Sequence, residues 1–487
     1  MTKANLAKNT TYYTAALTFQ KILSFIYFWY ISNNLFAGDL GQYVFALSFT
    51  TLFSIFVDLG LSPILTREAA KETDSANSFL RNVLGLKIPL SILTLIAAWV
   101  VISITGKSPE IRLLVYLASI IMVLDSFSLS FWVIFRARQN MFYESIGTII
   151  IQLIIFILGI IAVKTTGQVK YLMLGLLVAS IFNFCLVIAL LKTKLKFSLT
   201  PKLDPKVIKQ LLKIVPAFAL AGIFIKIYNT SDSVLLGYLD SDIAVGFFAV
   251  PAKVVYALQQ VIPAAFAAVI FPAFSFYYAN SKTLLKLTFE KAFNYLTIIS
   301  LPICGGILVL IPEIIDRVWP KYTPVIPTFY AMTLAIPFIF LAFPTGYLLN
   351  SCDRQNNTTI NRGIITALAV ILNIVLIPQI SYFGAGITFF ITNFVLLFLD
   401  FYWVKKIIDL NYSLITKIII KSLLATATMV IIVYLTKPYL NLLLVVPLGG
   451  LVYFLVLYLV KGFSLDEAKD LIKKGLGKPN TTIIESE

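Results

Sequence analysis

Ser145-Ile-Gly-Thr-Ile-Ile-Ile-Gln-Leu-Ile-Ile-Phe-Ile-Leu-Gly-Ile-Ile-Ala-Val163 is a run of 19 residues without a charge. As a helix it would extend roughly 28 Å, close to the hydrocarbon thickness of a bilayer, about 30 Å. It is apolar on every face, which suits a lipid-facing segment rather than an amphipathic surface helix. Working outward, comparable stretches occupy 10–36, 42–66, 83–104, 111–135, 171–191, 211–238, 243–271, 292–313, 327–349, 361–378, 384–404, 415–435 and 441–460. The chain of 487 residues is 59% hydrophobic and 13% charged, against roughly 25% charged in soluble domains. The pattern predicts an all-α integral membrane protein of about fourteen transmembrane helices.

The first stretch follows Lys3 and Lys8 as a signal peptide would. Its apolar part is too long and lacks a small-residue cleavage site, so it reads as a retained helix. The formal charge is +16, a balance that elsewhere suggests a nucleic-acid binder. Here the basic residues alternate with the loops: 27 lie on the side of the amino terminus and 7 on the other. That asymmetry excludes a nucleic-acid role and predicts a cell (cytoplasmic) membrane protein with both termini cytoplasmic. Cys185, Cys304 and Cys352 stand singly, and there is no histidine. No metal site, cofactor or catalytic residue is therefore expected.

Two amphipathic segments fringe the spans. Val207 to Lys213 alternates apolar residues with lysines and is expected to lie along an anionic membrane surface. Ser464-Leu-Asp-Glu467 is a capping box, and Leu465, Ala468, Leu471 and Ile472 predict a carboxy-terminal interfacial helix after it.

The chain also matches itself. At a shift of 205 residues, Phe19-Gln-Lys21-Ile meets Phe224-Ile-Lys226-Ile, and Gly41-Gln-Tyr43 meets Gly246-Phe-Phe248. At 210, Ile181-Phe-Asn183-Phe meets Ile391-Thr-Asn393-Phe, and at 213 Pro89 meets Pro302. Ordered matches at nearly constant spacing indicate duplication. The expected organisation is an N-lobe at 1–195, a cytoplasmic linker at 196–210, a C-lobe at 211–406, two further helices at 407–462 and a cytoplasmic tail at 463–487. Two parallel repeats of six helices place a substrate site between them, with access that alternates.

Charges within the spans mark that site, because a basic residue at mid-bilayer costs about 2.5 to 3.5 kcal/mol and requires a polar surrounding. Lys21 and Lys226, at equivalent repeat positions, and Lys253 beside Pro251 are the candidate cationic lining. Lys87 and Lys421 are near enough to span ends to snorkel. Asp58, Asp125, Asp232 and Asp400 either pair across helices or titrate with a coupling ion, Asp58 and Asp232 being the candidates. Surplus lysine suits an anionic substrate, above all a phosphate or diphosphate. Pro63, Pro216, Pro251, Pro263, Pro272, Pro302, Pro337 and Pro344 offer bending points in or beside the spans. The cluster Phe25-Ile-Tyr27-Phe28-Trp29-Tyr30 reads as an interfacial aromatic belt.

The sequence resembles the Wzx-type polysaccharide flippases of the MATE-like, or MOP exporter, superfamily. The likeness rests on Gly41-Gln-Tyr43 before Val57-Asp58-Leu59-Gly60-Leu61-Ser62 and Arg67-Glu68, and on Ile227-Tyr228-Asn229-Thr230-Ser231-Asp232-Ser233-Val234-Leu235-Leu236-Gly237 before Val245-Gly246-Phe247-Phe248-Ala249. Phe247 stands where the family often has tyrosine. The resemblance implies two six-helix lobes around a cationic cavity that passes a polyprenyl-diphosphate-linked oligosaccharide, such as an O-antigen or capsule repeat unit, to the outer leaflet. It implies a monomer among membrane lipids, with H+ or Na+ as coupling ion and contacts with polysaccharide assembly proteins. The rival within transport is a MATE-like ion-coupled exporter of small amphiphilic cations, which would want an acidic cavity and twelve spans. A membrane glycan polymerase or transferase would need a sizeable outward loop with catalytic acids; the longest here, 314–326, carries only Asp316, Arg317 and Lys321 as charges. A non-transporting scaffold is the remaining alternative.

Overall fold

The computed structural model describes residues 3–71 and 76–463, nearly all helical and with no strand among them. The expected capping box at Ser464-Leu-Asp-Glu467 and the interfacial helix after it lie outside the described residues. The first repeat region contains α1 (Lys3–Asn34), α2 (Ala37–Asp58), α3 (Leu61–Lys71), α4 (Ala76–Ile104), α5 (Pro109–Ala137), α6 (Phe142–Thr165) and α7 (Val169–Lys194). Then follow α8 (Pro205–Leu239), α9 (Asp242–Asn280), α10 (Lys282–Val318), a short 3₁₀ turn (Pro320–Val325), α11 (Ile326–Leu334), α12 (Ile336–Ser351), α13 (Gln355–Val404), α14 (Tyr412–Thr436) and α15 (Leu442–Leu459).

Among the described residues, eleven helices are long and apolar enough to cross a membrane. One of them, α13, is two rods, because Ile380 and Ser381 leave helical geometry just after Pro378. The expected figure of fourteen counts α13 twice and adds α1 and α8, which are 32 and 35 residues long and fall outside the eleven.

Local chemistry explains the boundaries. Ser108 caps α5 by accepting from the Ile111 amide at 3.4 Å, with Pro109 in the first turn where its missing N–H costs nothing. The expected single span 42–66 is broken instead. Leu59 and Gly60 take left-handed backbone angles, φ 43° and 78°. The Asp58 carboxylate accepts from the amide of Ser62 at 3.3 Å and from its hydroxyl at 2.5 Å, so it starts α3 as it ends α2. The segment 207–213 is continuous with α8 rather than a separate surface helix. The linker shortens to 195–204 and is strapped to the start of α4: the Lys202 amide donates to the Arg81 carbonyl at 3.0 Å, and the Asp204 amide to Asn82 Oδ1 at 2.6 Å.

Polarity runs inside out, as a hydrocarbon solvent requires. α4 buries Asn82, Lys87, Ser91 and Thr94 and exposes Ile88, Ile92, Leu93 and Ile96. In water that arrangement would be ruinous; in lipid it places polar groups where partners are.

The chain divides into two compact units. The first holds Met1–Ala257, Trp319–Phe329 and Thr359–Thr392; the second holds Leu258–Val318, Tyr330–Thr358 and Asn393–Glu487. These units follow packing, whereas the lobes expected at 1–195 and 211–406 follow duplication. In the first unit α3, α4, α5 and α7 close over a core that includes Leu65, Leu80, Trp132, Phe135 and Leu191. In the second, α14 and α15 dock on α10 through Met429, Val433, Tyr453 and Leu457, and the Tyr453 hydroxyl donates to the Ile298 carbonyl at 2.8 Å.

Candidate substrate site in the first unit

All five residues singled out from the sequence fall in the first unit, and four of them sort onto two helix seams. On the α2–α8 seam, Lys226 of α8 donates to the Ser54 hydroxyl of α2, which in turn donates to the Thr51 carbonyl at 2.6 Å. Asp58, one turn along α2, forms an ion pair with Lys87 of α4 at 2.7 Å. Lys87 is wholly buried and donates to the Ser126 carbonyl and the Ser130 hydroxyl of α5, each at 2.6 Å. The expectation that Lys87 snorkels to an interface is therefore overturned: it is an internal tie among α2, α4 and α5. Its charge is balanced by Asp58, which also interacts electrostatically with Lys226.

On the α1–α9 seam, Lys253 donates to the Ser24 hydroxyl at 3.3 Å and lies 5.4 Å from the Phe28 ring centroid, both on α1. Lys21 stands three residues before Ser24 on the same helix face, half-buried. Neither Lys226 nor Lys253 makes an ion pair among the described residues; both are held by neutral groups. An ammonium group bonded to a hydroxyl is not neutralised by it, and it can take an anion without first breaking a salt bridge.

The aspartates have individual partners. Asp232, six residues past Lys226, turns instead toward α13 and accepts from the Asn373 amide; it is buried. Asp125 of α5 accepts from Ser180 of α7 at 2.7 Å. No group of three histidine, cysteine, aspartate or glutamate side chains able to hold a metal occurs among the described residues.

Where α1 gives way to α2, the helices of this unit pack backbone against backbone. Helices α2 and α9 begin at 37 and 242, 205 residues apart, and they cross there at Gly41 and Gly246, also 205 apart. A methyl group on Gly41 would come within 1.7 Å of the Asp242 carbonyl oxygen, and one on Gly246 within 1.9 Å of the Ala37 carbonyl oxygen. Since 37 and 242 are themselves repeat equivalents, the contact is reciprocal, which is what a two-fold relation between the repeats requires. Lys107 locks this crossing. It pairs with Asp242 at 3.3 Å, donates to the Gly237 carbonyl, and lies 4.8 Å from the Phe45 ring centroid. Trp319 donates to the Ser32 hydroxyl at 2.9 Å, and Phe247 packs edge-on against Tyr322 and Tyr382.

Sequence reasoning found the lysines and missed their acceptors. Ser24 and Ser54 carry no signal that sets them apart from other serines in the spans. Asn373 and Lys107 were equally silent, although the first is a rare amide inside an apolar helix and could have been questioned on that ground.

The profile of the family described as polysaccharide biosynthesis protein matches residues 6–277. An uncharacterized membrane protein of Methanocaldococcus jannaschii is 24% identical over 480 residues, covering 90% of this chain and 92% of that one. Among solved structures, lipid II flippase MurJ in an inward closed conformation superposes with a TM-score of 0.75 at 16% identity, covering 94% of this chain and 99% of that one. An inward-facing multidrug resistance MATE family transporter of the MOP superfamily gives a TM-score of 0.64 at 14% identity, covering 78% and 94%. These neighbours in fold are transporters and flippases, not enzymes. With more than half of its length matched, this chain belongs to the polysaccharide biosynthesis protein family, a multi-pass membrane protein on the fold that MurJ and MATE transporters share.

Proposed function

We propose that the protein is a flippase that moves a polyprenyl-diphosphate-linked oligosaccharide from the cytoplasmic to the outer leaflet by alternating access. The observation that carries this reading is the pair of membrane-embedded ammonium groups, Lys226 and Lys253, held by serine hydroxyls rather than carboxylates. A diphosphate offers several charged oxygens to such donors. Lys21, on the face of α1 that carries Ser24, adds a third cation to the same binding role. The family membership supplies the pathway in which such a cargo arises.

The two candidate coupling carboxylates differ. Asp58 is neutralised by Lys87, whereas Asp232 is held only by a neutral amide among its described partners. Asp232 is thus the better-supported carrier of a coupling proton or sodium ion. The close crossing at Gly41 and Gly246 would be the outer gate, and the lobes at 1–195 and 211–406 the bodies that rock.

Purified protein in vesicles, offered either lipid-linked oligosaccharide or a cationic dye, tests the proposal. Flipping of the lipid-linked sugar by the wild type, lost in the Lys21→Gln/Lys226→Gln double variant, is the expected result. Movement of the dye alone, or unaltered flipping in the double variant, would sink it.

A further inference from the structure

The α2–α8 seam has two sides. One carries the Lys226–Ser54 bond. The other opens into a crevice of about 380 Å³ lined by Leu52, Phe53 and Phe56 of α2, Ile223, Ile227 and Leu235 of α8, and Val370 of α13. Leu52, Ile55 and Phe56 lie at spacings of three and four along α2, so they share one face while Ser54 lies on the opposite one. Twelve residues separate Ile223 from Leu235, and the crevice therefore extends about 18 Å along α8, more than half the hydrocarbon core.

Its lining is apolar except for Ser231. That hydroxyl is 4% exposed and has no hydrogen-bond partner among the described groups. A crevice so lined does not hold ordered water, which needs two or more polar partners. Its extent along the helices fits a hydrocarbon chain better than a compact drug-like molecule. The adjacent cation then selects among chains: Lys226 is bonded to Ser54 and makes no ion pair among the described residues, the nearby Asp58 being already paired with Lys87, so it complements an anionic head.

We propose that this crevice holds the isoprenoid chain of an anionic diphosphate lipid while the diphosphate rests against Lys226. This rests on the reading given under Proposed function and extends it to the tail. A carrier that takes a charged head through a polar route must leave the attached chain in apolar surroundings, because each methylene drawn into water is unfavourable. The α2–α8 seam supplies both surroundings on the two sides of a pair of helices, with the Lys226–Ser54 bond at their junction.

The test uses the full-length protein in vesicles and a farnesyl diphosphate probe with a photoreactive group at the end of its chain. Label is expected on residues 52–56 and 223–235 and on Val370, displaced by unlabelled farnesyl diphosphate and not by phosphatidylglycerol. Lys226→Gln should lower labelling roughly tenfold, as loss of one charge-assisted contact would. Ile227→Trp should fill the crevice and lower it comparably; Leu235→Trp does the same from the other end if the first variant fails to fold. Label elsewhere, or equal displacement by phosphatidylglycerol, which would make the occupant ordinary bilayer lipid, overturns the proposal. A protein labelled in the crevice that flips no lipid-linked oligosaccharide rejects the flippase reading alone. One that flips but is labelled elsewhere rejects the crevice alone.

Discussion

The α2–α8 and α9–α1 seams are the same place in the two repeats, since α1 corresponds to α8 and α2 to α9, yet they reach the same chemistry with different residues. On one, the lysine sits on α8 and the serine on α2; on the other, the lysine sits on α9 and the serine on α1. Lys226 has Lys21 as its sequence equivalent, and Lys253 has none. Duplication thus conserves the frame, visible in the reciprocal packing of Gly41 and Gly246, while the ammonium-to-hydroxyl bond is placed anew on each seam. The surroundings also differ. Lys226 lies in the field of Asp58, itself tied to Lys87, whereas Lys253 has an aromatic face beside it. The first cation is moderated by a nearby carboxylate; the second is not.

Removing the moderator's partner should have the largest effect. Lys87→Met strands the Asp58 carboxylate among α2, α4 and α5, and breaking a buried pair in this way costs about 3–5 kcal/mol. Melting of the detergent-solubilised variant should fall accordingly, and the Asp58→Asn/Lys87→Met double variant should recover much of the loss. If the double variant melts no higher than the single, the pair is not what holds these helices. In any single variant that survives, Asp58 is free to pair with Lys226, which would make the two seams still less alike and depress transport.

Next come the cations themselves. Losing one charge-assisted hydrogen bond to a phosphate is worth about 1.5–3 kcal/mol, roughly tenfold to a hundredfold in apparent affinity. Lys253→Gln should fall at the upper end of that range and Lys226→Gln at the lower, because only Lys226 is already shared with Asp58. Vesicle flipping measured against lipid-linked oligosaccharide concentration would show the order; the reverse order would mean that the carboxylate does not temper its neighbour.

The legible part of this architecture was the part set by lipid. Hydrocarbon demands long apolar runs, so the span at 145–163 could be read as α6 without any knowledge of its neighbours. Breaks within spans were legible only where proline or a loop marked them. Leu59 and Gly60 interrupt an apolar run with one glycine, and the cause, a carboxylate bonding to Ser62 four residues on, is a side-chain event that hydropathy does not register. The same holds for Lys87. Depth along the span points to snorkelling, but depth says nothing of direction, and α4 turns this residue inward onto α5. Lysines in apolar runs announce themselves by their cost, whereas serines that receive them cost little and stay unseen.

The shared frame can be broken at the glycines. A methyl group at Gly41 or Gly246 meets a backbone carbonyl, which cannot rotate away as a side chain can. Gly41→Ala and Gly246→Ala should each destabilise the crossing by about 1–3 kcal/mol, and the near-equal size of the two effects is the signature of the two-fold relation. Accessibility of a cysteine introduced at Ser32 to a membrane-impermeant thiol reagent reports whether the α1–α2 end has opened. Equal gains in both variants sharpen the symmetry; a gain in one alone breaks it.

The smallest effect lies where the repeats join. The Asp204 carboxylate accepts from the Lys206 amide at 3.0 Å and caps α8, and that backbone hydrogen bond, helped by Lys202, holds its pKa below the ordinary carboxylate range. The ionised form is therefore favoured by folding. Its stabilisation is present at neutral pH, begins to fade below about pH 4, the ordinary aspartate value, and is gone once the pH has passed through the lowered one. Hydrogen exchange of residues 206–210 should rise relative to the rest of α8 over that interval. Asp204→Asn keeps an acceptor for the amide but has nothing to titrate, so its exchange in this segment should show no such rise, whereas Asp204→Ala should exchange faster at every pH. A rise that persists in Asp204→Asn would place the titrating group elsewhere and leave the junction between the repeats held by the strap to α4 alone.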